Sequence, residues 1–266
     1  MHPTRRKTMG YAAAVFLPLS GGGLTGCASS QGGNRHRQVA SVLSFLYPGN
    51  EKPDLSNEAV AELNVPFRVG VAFVPDANKS DLRLSEPERA QFASRVRDAF
   101  ADYPFIRQIS TVDSLFLQPG GGYENLDRVG AMLNIDVIAL ISYDLVQHAD
   151  STGWSFLYWT GVGAYLVEGD RFEVLTAVNC AVVDIKSRRL LMNASGTARD
   201  QGTATLVGFT EKSREARGKS FSLAINQMIP ALKTELARFR DTAPKDPKIR
   251  LKLPPGYDPG QKPSRG

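Results

Sequence analysis

One stretch, Ile135-Asp-Val-Ile-Ala-Leu-Ile-Ser-Tyr143, restricts the possible folds of this chain more than any other. Both alternating faces of a strand formed here are almost entirely apolar, so both need cover from other parts of the chain. Strands of this kind are typical of the centre of a parallel sheet, where crossover helices lie on the two faces. The stretch therefore predicts an α/β fold, in a chain long enough to bury one sizeable core.

The segments before this strand predict further strands and helices. Residues 67–74 place apolar side chains on one face with a period of two, which indicates a strand. Ser85 and Glu88 have the spacing of a capping box, so a helix is expected from about 86 to 101. After a proline, residues 105–112 form a second predicted strand.

The predicted pattern changes after the central strand. A short helix capped by Asn125 precedes that strand and completes a βαβαβ order. Two strand-like runs over 172–185 and 190–197 then predict a hairpin. A long amphipathic helix follows from about Glu211, with a kink expected at Pro230. We therefore expect an α/β fold: a single domain with a mixed sheet, βαβαβ followed by a hairpin and a long C-terminal helix.

The N-terminus has the pattern of an export signal. A basic cluster at 5–7 precedes an apolar run over 9–19, which is shorter than the ~20 residues that a membrane-spanning helix needs. Four residues then follow in the order of a lipobox: Leu24, Thr25, Gly26 and Cys27. In these features the chain resembles a bacterial lipoprotein precursor.

This resemblance implies that residues 1–26 are a signal peptide and that Cys27 is lipidated. The alternative is an incidental cysteine in a flexible leader. Ala28 and Ser29 follow the cysteine, in place of the aspartate that often retains lipoproteins at the inner membrane. The resemblance therefore implies an outer-membrane location, with the folded part facing the periplasm. More than one acyl chain makes such anchoring stable.

The predicted organisation has four parts. Residues 1–26 are the signal peptide, 27–64 the lipidated cysteine and a tether, and 65–240 the α/β domain. Residues 241–266 are rich in Pro and Gly and are expected to be a disordered tail. Within the tether, the apolar run 39–47 is expected to dock on the domain as a short helix or strand.

The net charge gives no support for a nucleic-acid partner. The formal charge of the whole chain is +5, but residues 27–240 contain 23 Lys and Arg against 24 Asp and Glu, a net charge of −1. A nucleic-acid-binding domain needs a basic face on the fold itself. The expected partners are the membrane, through the lipid on Cys27, and a protein of the cell envelope, and the oligomeric state stays open.

The sequence predicts no catalytic residue, metal ligand or cofactor-binding residue. Beyond the signal the histidines are His36 and His148, and no Gly-x-Ser-x-Gly elbow is present. Cys180, in an apolar run, is expected to be a buried thiol, with a reactive nucleophile or an intermolecular bridge as alternatives. The Gly-rich stretch 119–125 either holds an anion at a helix N-terminus or is a plain loop. We expect a non-enzymatic binding protein; the alternative is a periplasmic hydrolase whose carboxylates the sequence does not identify.

An uncharged aromatic segment over 154–167 contains both tryptophans of the chain. It is expected either to pack as a strand of the core, to bind a partner, or to enter a membrane. If it binds a partner, the surface consists of Trp154, Phe156, Tyr158, Trp159 and Tyr165.

Four motifs taken together resemble the rhombotarget lipoprotein family. They are Phe67-Arg-Val-Gly-Val-Ala-Phe-Val-Pro75, Gln118-Pro-Gly-Gly-Gly-Tyr-Glu-Asn-Leu126, Asp136-Val-Ile-Ala-Leu-Ile-Ser-Tyr-Asp144 and Tyr158-Trp-Thr-Gly-Val-Gly-Ala-Tyr165. The resemblance covers most of residues 39–240 and implies an envelope location rather than a chemistry. The order of elements is also similar, at the level of the fold alone, to lipoproteins of curli secretion and to activators of penicillin-binding proteins.

Overall fold

A mixed sheet forms the centre of the fold. The computed structural model describes residues 34–50, 60–76, 80–151 and 169–256. Its helices and strands, in chain order, are β1 (Asn34–Ala40), α1 (Val42–Leu46), β2 (Ala61–Asn64), β3 (Phe67–Phe73), α2 (Glu86–Phe100), β4 (Ile106–Thr111), α3 (Gly122–Leu133), β5 (Val137–Ser151), β6 (Asp170–Asp184), β7 (Arg189–Ala204), α4 (Phe209–Thr242) and β8 (Ile249–Lys252). The order in the main sheet is β4-β3-β5-β6-β7, with β1 also paired to β5. The predicted α/β class is confirmed.

Strand β5 organises this sheet because it is long and has neighbours on both edges. Its first part pairs in parallel with β3, from Val137 opposite Val69. Its second part pairs with β1 in the antiparallel direction, from Tyr143 opposite Ala40. On its other edge β6 runs antiparallel along the whole strand. Residues 137–143 are buried on both faces, as the sequence predicts.

Helices cover the two faces of the sheet. One face packs on α2 and α4, through a cluster that includes Phe92, Val96 and Phe221. The other face packs on α1 and α3, through a smaller cluster that includes Phe45 and Leu126. The result is three layers, with β5 in the middle layer and buried from both sides.

Helix α4 crosses β7 at very short range. A Cβ atom added to Gly196 would lie 2.1 Å from the backbone oxygen of Ala224 and 2.6 Å from the backbone nitrogen of Met228. Only glycine lets the two backbones approach so closely. The helix continues without interruption through Pro230 and ends at Thr242.

The structure confirms one predicted helix cap and the hairpin, and it corrects the other cap. The Ser85 N–H donates to Glu88 Oε2 at 2.8 Å, which confirms the capping box. The hairpin is also confirmed, with strands longer than predicted. Helix α3, in contrast, begins at Gly122, so the predicted N-cap Asn125 lies inside the helix. Its Oδ1 accepts the Gln118 N–H at 2.9 Å, which fastens the preceding loop rather than capping the helix.

The folded unit extends beyond the predicted limits of 65–240 at both ends. Strand β1, from the predicted tether, pairs with the part of β5 that projects past β3. Strand β8, from the predicted tail, pairs in parallel with β2, from Ile249 opposite Ala61. A salt bridge of 2.6 Å from Lys252 to Glu62 joins these two strands. Free strand edges need partners, and here residues outside the predicted domain supply them.

Candidate functional site

An apolar crevice lies between α2, α4 and the sheet, near the start of β3 and β5. All sixteen residues that line it are apolar, and its cavity volume is about 60 Å³. The floor comes from five strands of the main sheet, including Val69 of β3 and Ala139 of β5. Phe100 of α2 and Leu236 of α4 contribute to the walls. An unfilled apolar space of this kind gives up dispersion contacts that a hydrophobic ligand restores.

Contacts between α2 and α4 beside the crevice position these two helices against the sheet. Phe92 stacks on Phe221 with ring centroids 5.3 Å apart. Beside this stack, Arg95 Nη1 donates to Ser222 Oγ at 2.9 Å, and Arg95 also donates to Asn226. These contacts join the middle of α2 to the first half of α4. The crevice lies further along both helices, toward their C-terminal ends.

The crevice reaches the protein surface. Seven of its lining side chains are only partly buried: Phe67, Val69, Phe105, Ile109, Leu191, Met192 and Phe239. Large apolar side chains that share one partly exposed concave surface are typical of ligand or partner sites. The Lys233 Nζ atom lies 6.0 Å from the centroid of the Phe100 ring, so a cation stands beside the apolar lining.

A buried polar cluster lies at the opposite end of β3. The Arg89 guanidinium forms a salt bridge with Asp76, and both side chains are at most 10% exposed. Tyr143 Oη donates to the other carboxylate oxygen of Asp76 at 2.5 Å. Burial, followed by the hydrogen bond to Asp76, raises the pKa of Tyr143. Both oxygens of Asp76 are therefore engaged, so this cluster stabilises the fold and offers no free general base.

Three carboxylates near the start of β3 and β5 also have hydrogen-bond or salt-bridge partners. Asp136 accepts a hydrogen bond of 2.7 Å from Arg68 Nε, Glu62 pairs with Lys252, and Asp184 accepts the Ser187 N–H at 2.8 Å. Over the described ranges, no group of three or more His, Cys, Asp and Glu residues has a geometry that could hold a metal ion. In the same part of the chain, no helix has both the length and the apolar composition needed to cross a bilayer.

Three residues of types used in nucleophilic catalysis, Cys180, Ser142 and His148, are poorly placed for it. Cys180 is fully buried, which raises the pKa of its thiol to about 12. The prediction of a buried thiol is thus confirmed, and the thiol stays protonated at neutral pH. Ser142 is also buried and donates to the Asn179 carbonyl oxygen at 3.5 Å. His148 lies far along β5, opposite Arg35 of β1 and Glu173 of β6.

The site residues that the sequence predicted lie outside the described residues. This applies to the lipobox (Leu24, Thr25, Gly26) and Cys27, and to the aromatic surface of Trp154, Phe156, Tyr158, Trp159 and Tyr165. The crevice was not predicted from the sequence. Its wall residues belong to predicted apolar faces, such as the face of α4 that carries Leu232 and Leu236. An apolar face has the same sequence pattern whether its side chains are fully packed in a core or line an open crevice.

No family model matches this chain, and no curated protein matches it. Solved structures with distant similarity include a homolog of neuraminyllactose-binding hemagglutinin from Helicobacter pylori, with 10% identity, a TM-score of 0.37, and coverage of 76% of this chain and 98% of that one. A PelC dodecamer from Paraburkholderia phytofirmans has 10% identity and a TM-score of 0.25, over 71% of this chain and 96% of that one. A DUF330 protein from Xanthomonas campestris has 11% identity and a TM-score of 0.32, over 74% of this chain and 94% of that one.

Proposed function

We propose that this chain is a bacterial outer-membrane lipoprotein, anchored by a lipid on Cys27. In this proposal the folded unit faces the periplasm and acts by binding another component of the envelope, without catalysis. The anchoring rests on the basic cluster, the short apolar run and the lipobox at the N-terminus. The resemblance to the rhombotarget lipoproteins stays a prediction, and it agrees with this location.

The observation that carries the binding proposal is the crevice between α2 and α4. It is concave, apolar and partly open, and exposed apolar surfaces of this kind often mark binding sites. The carboxylates described above are engaged by Arg, Lys or Ser partners, as Asp76 is by Arg89 and Asp136 by Arg68. A hydrolase needs a carboxylate or nucleophile that is free to react, so these contacts favour binding over the alternative of hydrolysis.

Site-specific photo-crosslinking in cells tests the binding proposal. A photoreactive p-benzoylphenylalanine replaces Phe105 or Phe239, which line the crevice. The matched control is Phe116, which is 45% exposed and does not line the crevice. We expect a discrete crosslinked envelope component at both crevice positions and not at the control. Equal crosslinking at all three positions, or none at the crevice, would contradict the proposal.

A further inference from the structure

We infer that the crevice between α2 and α4 binds the hydrocarbon chain of a single-chain anionic lipid, of which a free fatty acid is the simplest. This inference rests on the proposed function, because it names the ligand class of the same crevice. Three observations on the crevice and its surroundings carry it.

The chemistry of the lining favours hydrocarbon over peptide. Every lining residue has an apolar side chain, from Phe67 at one side to Phe239 at the other. A peptide in this space would bring backbone N–H and C=O groups, which need hydrogen-bond partners when they leave water. A hydrocarbon chain brings no polar group into the crevice. The lining therefore matches an acyl chain.

The size of the cavity fits the terminal part of one chain. Its volume of about 60 Å³ has room for roughly four to six water-sized groups, at ~10–15 Å³ each. The rest of a longer chain would lie along the partly exposed lining, and two chain ends side by side need more space than the cavity offers. Because Met192 and Phe239 are only partly buried, the crevice is open to solvent, and the polar head of a bound lipid can remain in water.

The charge beside the crevice favours an anionic head group. The Lys233 ammonium lies 6.0 Å from the centroid of Phe100, one of the lining residues. Within the described part of the chain, Lys233 has no carboxylate within salt-bridge distance. A carboxylate or phosphate head group near this cation gains electrostatic energy, whereas a cationic head group loses it.

Photo-labelling of the full-length protein in phosphatidylcholine vesicles tests the inference. The probe is palmitic acid with a diazirine in its chain, and labelled peptides are mapped by mass spectrometry. A second arm uses diacyl phosphatidylcholine with the same diazirine. We expect the fatty acid to label crevice peptides from β7 or the second half of α4, with saturation and with competition by unlabelled palmitate. The diacyl probe should label these peptides much less.

A pair of matched variants gives the control. Met192→Glu places a carboxylate in the crevice, whereas Met132→Glu places one on a side chain that is 58% exposed elsewhere. We expect Met192→Glu to lower labelling by about tenfold or more, because a charge there is unpaired in apolar surroundings, and Met132→Glu to leave it unchanged.

Three results overturn the inference: labelling of wild-type protein that does not saturate, unchanged labelling in a folded Met192→Glu variant, and equal labelling by the diacyl probe. If Met192→Glu does not fold, competition by palmitate in the wild-type protein decides alone. Crosslinks to an envelope component at Phe105 and Phe239 in cells, without labelling in vesicles, would leave the proposed function standing and reject only the lipid ligand.

Discussion

Phe92 of α2 and Phe221 of α4 stack with ring centroids 5.3 Å apart and planes inclined by 23°. Phe221 also contacts Phe73 and Tyr143 of the sheet, with ring centroids 6.4 Å and 5.1 Å away. This aromatic cluster joins two helices to two strands. It packs α2 and α4 together on the sheet, and the crevice lies further along both helices.

Removal of the Phe221 ring should therefore be costly. We expect Phe221→Ala to lower the free energy of unfolding by about 3–5 kcal/mol, as for other buried aromatic residues. The control is Leu223→Ala on the same helix, since Leu223 is 41% exposed and should change stability by less than about 0.5 kcal/mol. Urea denaturation measures both values. Similar losses for the two variants would show that the aromatic cluster is not the main link between the helices.

Two glycines should respond with opposite signs to the same substitution. At Gly196 an added Cβ would collide with the backbone of α4, so Gly196→Ala should destabilise by about 1–3 kcal/mol. At Gly218, inside α4, nothing lies within 4 Å of the added atom. Gly218→Ala should therefore stabilise by about 0.5–1 kcal/mol, because alanine favours helix. Thermal melting of the two variants gives the comparison, and a stable Gly196→Ala protein would contradict the close crossing of α4 over β7.

The buried ion pair predicts a large loss when one partner is removed. Asp76→Ala leaves the Arg89 guanidinium, 7% exposed, with Glu86, 3.6 Å from Nε, as its remaining carboxylate. We expect a loss of about 3–5 kcal/mol, because Arg89 loses its buried partner and Glu86, which is 52% exposed, compensates the buried charge only weakly. Asp98→Ala is the control: it breaks an exposed pair with Arg97 and should cost less than about 1 kcal/mol. Chemical denaturation distinguishes them. Equal small losses would mean that Arg89 reaches water.

Alkaline pH should destabilise the protein partly through Cys180. Burial raises the pKa of this thiol to about 12, from an ordinary value of 9.0. Between these values the unfolded thiol loses its proton and the folded thiol keeps it, so stability falls as pH rises from about 9 to 12, by at most ~1.4 kcal/mol per pH unit for this group. In Cys180→Ala the fall should be less steep. Identical slopes for variant and wild type, measured by denaturation across this range, would argue against a buried thiol.

Local patterns account for the elements that could be predicted. The strand around Ile138 and Leu140 is apolar on both faces, and the capping box at Ser85 depends on residues three positions apart. Both signals are contained in a short window. The pairing of β2 with β8 is different, since each strand has four residues and Ala61 lies opposite the distant Ile249. Nothing in either short segment indicates its partner.

The crevice could not be predicted for a related reason. The sequence pattern places Leu232 and Leu236 on one apolar face of the last helix, and the structure places them against the sheet. Whether such a face is fully covered depends on how α2 and α4 pack on the sheet, to which contacts such as the one from Arg95 to Ser222 contribute. Those contacts join residues far apart in sequence and have no local signature.

Membrane fractionation of Cys27→Ser protein tests the central claim, that this chain is anchored in the envelope by a lipid. We expect wild-type protein to stay in the membrane pellet after a high-salt wash and Cys27→Ser protein to move to the soluble fraction, because the variant lacks the site for acyl chains. Cys180→Ala is the matched cysteine control and should remain in the pellet, since Cys180 is buried in the folded unit. Cys27→Ser protein that still sediments with membranes after the wash would rule out anchoring by a lipid on Cys27.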